Sequence, residues 1–190
     1  MTKLYMARGG QTALFPRAKP TADNHANRGM ELEHELMVMH QLYKRQKLAV
    51  VEKNYIKTQP VTGGEWARII GKAIVDFTGT LAGGRSVAFD AKDCVERRIE
   101  LNRLDTHQAE YLGSVYALGG LAFVLARFER KHCYKIPIDV WADAVLYWKF
   151  GKPVERVDGW KPKNKASLTM ADMRTEWAIK GVDWLGVDAG

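Results

Sequence analysis

Cysteine is scarce in this chain. Only Cys94 and Cys133 occur in 190 residues, which excludes a disulfide scaffold and a four-cysteine zinc site. A reducing cytoplasmic setting is the expectation that follows. No apolar run approaches the roughly 20 residues that cross a bilayer. The opening MTKLYMARGGQTALFPRAKP has no apolar signal core. The five histidines (His25, His34, His40, His107, His132) show no zinc-type pairing, and His34-Glu35 lacks the second histidine of H-E-x-x-H. The Gly-Gly strings lack the lysine of a phosphate-binding P-loop. There is no repeat and no low-complexity tract.

What remains is an ordinary globular composition, 46% hydrophobic and 27% charged, enough for one domain with a real core. The net charge is +7 and unevenly spread. Residues 1–28 carry five basic side chains against one acidic, and Lys149 to Lys165 six against two. Basic segments flanking a near-neutral body suit a polyanion as well as solubility.

Residues 1–26 read as a basic irregular arm, 27–150 as the domain, and 151–190 as a basic extension packed on or beside it. Leu32, Leu36, Met39 and Tyr43 recur at helical spacing, predicting a helix over 27–47. LAVVEKNYI (48–56) predicts a strand and 57–72, with Pro60 and Gly63-Gly64, a connection. AIVDFTGTLA (73–82) and RSVAFDAK (85–92) flank Gly83-Gly84 as a hairpin. Residues 94–104 read as a short helix or ordered loop. A helix over 106–118 starts at a candidate cap, Thr106. Strands over 121–129 and 132–138 follow, then a helix over 139–150 capped by Asp139, and a short helix near 169–180. The order α-β-β-β-α-β-β-α predicts an α/β fold with a mixed central sheet flanked by helices. The cysteines read as small core residues, the histidines as structural or solvent-facing, and Trp66 and Trp160 as the more exposed tryptophans.

The hairpin carries the chemistry. Asp76 and Asp90 sit on apolar strands where acids are disfavoured, and Lys92 shares the face of Asp90. Such charges must pair with one another or hold a cation. Two arrangements satisfy this: a salt-bridge cluster at strand ends, or a site for a hard ion such as Mg²⁺. Register decides whether the second can exist. A two-residue turn at Gly83-Gly84 makes paired numbers sum to 167 and puts the aspartates on opposite faces. An odd-length loop, of three or five residues with a glycine at positive φ, makes them sum to 166 and sets Asp76 against Asp90, Cβ atoms about 5 Å apart. On residue type alone Glu33 is a boundary acid of the first helix, His107 and Gln108 are cap or surface residues, and Arg97, Arg98 and Arg103 belong to a solvated face or a DNA groove.

These pieces stand in a known order. NRGMELE (27–33), KTQP (57–60), VDFTG (75–79), AFDAK (88–92), and THQ (106–108) with LGGLAFVLARF (118–128) resemble the motifs of the RecU Holliday junction resolvases, within the PD-(D/E)xK nuclease superfamily. The resemblance implies a restriction-endonuclease-like αβββαβ core. It implies Asp76 and Asp90 as metal carboxylates, Lys92 as catalytic lysine, Glu33 as the helix acid, and Gln108 as support for the metal or its water. Arg28 and Lys57 would contact phosphates, joined by Arg97, Arg98, Lys161, Lys163 and Lys165 of the basic stretches. Mg²⁺, replaceable by Mn²⁺, a branched-DNA substrate, a homodimer, a branch-migration helicase partner and a cytoplasmic location are likewise implied. Products would carry 5′-phosphate and 3′-hydroxyl ends. A nuclease without junction preference and a non-catalytic DNA-binding relative are the alternatives. Three departures stand out. Asp90 replaces the family's glutamate, Ile74 its threonine, and the stretch from Pro60 to Val75 looks shorter than the family's protruding stalk.

Overall fold

A computed structural model describes residues 25–55, 57–60, 67–71, 73–152 and 155–186. The predicted arm thus lies almost wholly outside the described residues, as does Trp66. Helix α1 (His25–Arg45) buries Leu32, Leu36, His40 and Tyr43 on one stripe, the periodicity read from sequence. It ends in a Schellman arrangement: Leu48 N donates to Tyr43 O, Lys47 N to Lys44 O, and Lys47 takes the left-handed φ of 59°. The reversal feeds directly into β1 (Ala49–Lys53).

The segment expected to be a plain connection instead holds a two-stranded antiparallel hairpin, β2 (Lys57–Pro60) with β3 (Ala67–Gly71), outside the main sheet. The main sheet has six strands in the order β1, β4 (Phe77–Leu81), β5 (Ser86–Cys94), β7 (Leu121–Phe128), β8 (His132–Pro137) and β10 (Ala178–Ile179). β4 pairs antiparallel with β1 and with β5. β7 runs parallel to β5, joined to it through α2 (Thr106–Ala117). β8 turns back antiparallel and leads into α3 (Ile138–Phe150). The run α1-β1-β4-β5-α2-β7 is the expected αβββαβ core.

The sheet is covered on both faces, so β5 and β7 are nearly continuous apolar runs interrupted only by chemistry. On the α1 face, Phe77, Phe89 and Phe123 stack across three neighbouring strands, with centroids 4.9 and 4.6 Å apart. On the other face, Ala88, Val124, Ala126 and Ile136 pack under α2 and α3 with Trp141. Gly79 is required by close approach: a Cβ there would stand 2.2 Å from Val50 O of β1.

Several local expectations are corrected. Residues 94–104 are neither a helix nor a plain loop. They carry the end of β5, a short β6 (Arg98–Glu100) and a 3-10 turn over Leu101–Arg103. Asp105, not Thr106, is the N-cap of α2, and Pro137, not Asp139, that of α3; Asp139 instead bonds Arg156 at 2.8 Å. The helix expected near 169–180 is two 3-10 turns between β9 (Ser167–Thr169), which pairs with β6, and β10 (Ala178–Ile179), which completes the sheet beside β8. Trp160 is buried at 6% exposure because its indole N–H donates to Asp172 O and its ring packs on Trp177.

The C-terminal segment is therefore part of the fold. Trp184 closes the phenylalanine stack, its Nε1 donating to His40 Nε2 at 3.1 Å. Burial pushes the His40 imidazole down to about 4, keeping it the neutral acceptor this bond needs. Tyr43 hydroxyl donates to Asp183 at 2.6 Å, tying the segment to α1. Cys94 and Cys133 are both free and buried, as expected. No described helix is long and apolar enough to cross a membrane.

Candidate active site

The β4–β5 register settles the placement of the two aspartates. Phe77 pairs with Phe89, Thr78 with Ala88, Gly79 with Val87 and Thr80 with Ser86, so paired numbers sum to 166. Leu81 N donates to Arg85 O across a three-residue loop, with Gly83 at φ 86° and Gly84 at φ 87°. The odd loop is the arrangement that sets Asp76 against Asp90.

Along β5, Val87, Phe89 and Ala91 point toward α1, while Ala88, Asp90, Lys92 and Cys94 point toward α2 and α3. Asp90 is fully buried. Its Oδ1 accepts from Gln108 Nε2 of α2 at 2.7 Å. Lys92 Nζ lies 2.6 Å from Oδ2. The ammonium and this oxygen form a close ion pair. Asp76 Oδ2 accepts from Ala91 N at 2.8 Å, so the main chain of β5 aims this carboxylate at its neighbour. Burial first, and the Asp76 carboxylate second, push the Asp90 carboxyl up to about 7, against the opposing pull of Lys92.

Two neighbouring carboxylates held by one ammonium form a donor set that suits a hard divalent cation. Among the described residues no group of three or more His, Cys, Asp and Glu is arranged for a metal. Mg²⁺ needs fewer: it is ordinarily held by one or two carboxylates and keeps several waters or substrate phosphate oxygens. The residues present fit such an ion.

Gln108 is held at both ends of its amide. Its Oε1 accepts from Asp105 N at 3.0 Å while its Nε2 faces Asp90. The backbone N–H at one end and the carboxylate at the other fix which way the amide points. Gln108 therefore presents its NH₂ group to Asp90, while its Oε1 accepts from the main chain of the helix cap. It positions Asp90.

Glu33 is on α1, and its ion-pair partner is Lys53 at the end of β1. Lys53 shares the parity of Val51 and so the α1 face, across the sheet from Asp90 and Lys92. The structure thus does not join Glu33 to the aspartates. Arg28 lies in α1 and Lys57 in β2; their side chains lie outside what is described. Arg97 pairs with Glu129 and Arg98 with Glu96 and Glu100. Lys161, Lys163 and Lys165 are exposed on the loop after α3.

Asn54 and Arg127 have no role in the sequence reading, and Arg103 is there only a face or groove residue; all three support the site's strands. Asn54 follows β1 and bonds the chain around Asp76. Arg103 donates to Asp93 O at 3.1 Å and Cys94 Sγ at 3.0 Å, holding the end of β5 beyond Lys92. Behind the site, buried Arg127 of β7 bridges Asp93 at 2.6 Å and Glu35 at 2.9 Å. No spacing rule could have found these, since each contact is made by sheet pairing or helix docking.

A family model described as Recombination protein U matches residues 27–153. Among curated proteins, the Holliday junction resolvase RecU of Geobacillus thermodenitrificans is 30% identical over 121 residues, covering 58% of this chain and 60% of that protein. The chain thus matches only about 60% of that relative's length. The Holliday junction resolvase RecU of Ligilactobacillus salivarius is 26% identical over 179 residues, covering 85% of this chain and 80% of that one. The solved Hjc, a Holliday junction resolvase from Archaeoglobus fulgidus, aligns over 58% of this chain and 73% of its own at a TM-score of 0.37 and 17% identity, too distant to bear on the fold.

Proposed function

From the premise that the chain belongs to the RecU family, we propose that it is a divalent-metal-dependent endonuclease that resolves four-way DNA junctions by paired symmetric nicks. The supporting observation is the convergence of Asp76, Asp90 and Lys92 in the one hairpin register that permits it. A bound Mg²⁺ or Mn²⁺ would supply positive charge to the scissile phosphate and acidify a water there. Asp76 and Asp90 would hold it, Asp76 aimed by Ala91 N and Asp90 by Gln108. Lys92, 16% exposed, would be drawn from Asp90 to the phosphate, where its ammonium offsets negative charge developing in the transition state. Asp90 is deprotonated for this role, a state that the cation favours.

Two symmetric nicks need two active sites, so the working form is a homodimer, acting in the cytoplasm beside a branch-migration helicase. The β2–β3 hairpin stands where the resemblance places the junction-engaging stalk. Arg28, Lys57, Arg97, Arg98 and the Lys161–Lys163–Lys165 loop would carry backbone phosphates, with affinity falling steeply as salt rises.

The test is a mobile four-way junction beside a linear duplex of the same sequence, each with Mg²⁺, Mn²⁺ or chelator. Paired nicks at symmetric positions of the junction, lost with chelator, are expected, with the linear duplex left intact. Equal cutting of both substrates identifies a nuclease without junction preference. Binding without cleavage under every metal identifies a non-catalytic relative.

A further inference from the structure

Asp76 lies just past the last pair of the β1–β4 ladder, Lys53 with Phe77, on a bend rather than a strand. Ladder bonds alone therefore do not hold it, and strand ends of this kind fray. Asn54, the first residue beyond β1, takes over. Its main-chain N–H donates to Asp76 O at 2.7 Å. Its side-chain Nδ2 donates to Val75 O at 2.9 Å, and its Oδ1 accepts from Thr78 Oγ1 at 3.1 Å. One half-buried amide thus spans the residues on both sides of Asp76, while Ala91 N holds the carboxylate from β5. The donor and acceptor ends of Asn54 are both used, each on a different side of the bend. Aspartate lacks the donor, and leucine lacks both groups.

We propose that Asn54 is a positioning residue that sets the main chain of Asp76, and through it the spacing of the two carboxylates available to a divalent ion. The link to metal rests on the function proposed above; the link to Asp76 does not. Partners that orient a metal ligand without touching the ion ordinarily change affinity about 10- to 100-fold when removed.

The experiment compares full-length parent, Asn54→Ala, Asn54→Asp and Thr78→Val. In metal-free protein, amide hydrogen exchange at residues 54 and 77–78 is measured beside that of β7. Mn²⁺ affinity is then measured by titration calorimetry. Asn54→Ala is expected to speed exchange at residue 54 about tenfold or more while β7 is unchanged, and to weaken Mn²⁺ about tenfold. Asn54→Asp, without the donor to Val75, should follow it, and Thr78→Val should show roughly a threefold loss. Unchanged exchange and unchanged Mn²⁺ affinity in Asn54→Ala overturn the proposal. If that variant does not fold, parent-like values in Thr78→Val and Asn54→Asp overturn it in its place. A parent that binds no Mn²⁺ refutes the metal reading, while the exchange arm still decides whether Asn54 holds Asp76.

Discussion

Asp76→Ala is expected to lower junction cleavage by about 10³-fold or more while leaving junction binding within roughly twofold. The reasoning starts from register. Asp76 accepts from Ala91 N and faces the buried Asp90, so removing it takes away one of the two anionic groups that a cation needs. It also relieves the repulsion that raises the Asp90 carboxyl. Asp90 is then more readily ionised and pairs with Lys92 alone, a closed ion pair with little reason to recruit an ion. The fold should survive: Asp76 lies on a bend outside the apolar stack, and neither helix face loses a packing residue. Gel-shift and single-turnover cleavage on one preparation separate binding from chemistry. Loss of both together would mean that Asp76 is structural; cleavage within tenfold of parent would remove it from the site.

The second large effect is on stability. The folded Asp90 carboxyl sits near 7, above its ordinary value of 3.8. Between about pH 4 and 7 the folded protein keeps a proton that the unfolded chain has released. Unfolding then releases protons, so metal-free stability falls as pH rises through this window and the loss is complete above about 7. At 1.36 kcal/mol per pKa unit, the contribution is of the order of a few kcal/mol. Millimolar Mg²⁺ or Mn²⁺ at pH 8 should recover it, by about 2.7 kcal/mol at a hundredfold excess over Kd. Thermal melts of parent and Asp90→Asn at pH 5 and pH 8, with and without metal, isolate the group. The parent should lose stability relative to Asp90→Asn on going to pH 8 and regain it with metal. A parent that gains on Asp90→Asn over that interval without metal contradicts the burial argument.

What the residues disclose in advance follows from where the information resides. The hairpin register was legible because it is local: alternation on two strands and a short glycine loop leave two possible registers, and only the odd loop brings two acids together. Helix α1 was legible because Leu32, Leu36 and Tyr43 repeat at its period. The β2–β3 hairpin was not, since Pro60 and the neighbouring glycines read as connection and nothing alternates strongly. Trp160 was misread because Gly159, Lys161 and Lys163 surround it in sequence, while its burial comes from Asp172 and Trp177, more than ten residues on. The placement of Gln108 turned on a capping bond from Asp105, one residue before the expected cap. Lys53 and Asn54 were invisible for the same reason. Their roles exist only once β1 lies beside β4.

The most direct measurement is anomalous scattering from a crystal grown with Mn²⁺. The expected result is one peak between the Asp76 and Asp90 carboxylates, within roughly 2.5 Å of an oxygen of each, with the Lys92 ammonium alongside. A crystal holding Mn²⁺ only elsewhere, with Lys92 still closed on Asp90, would contradict it.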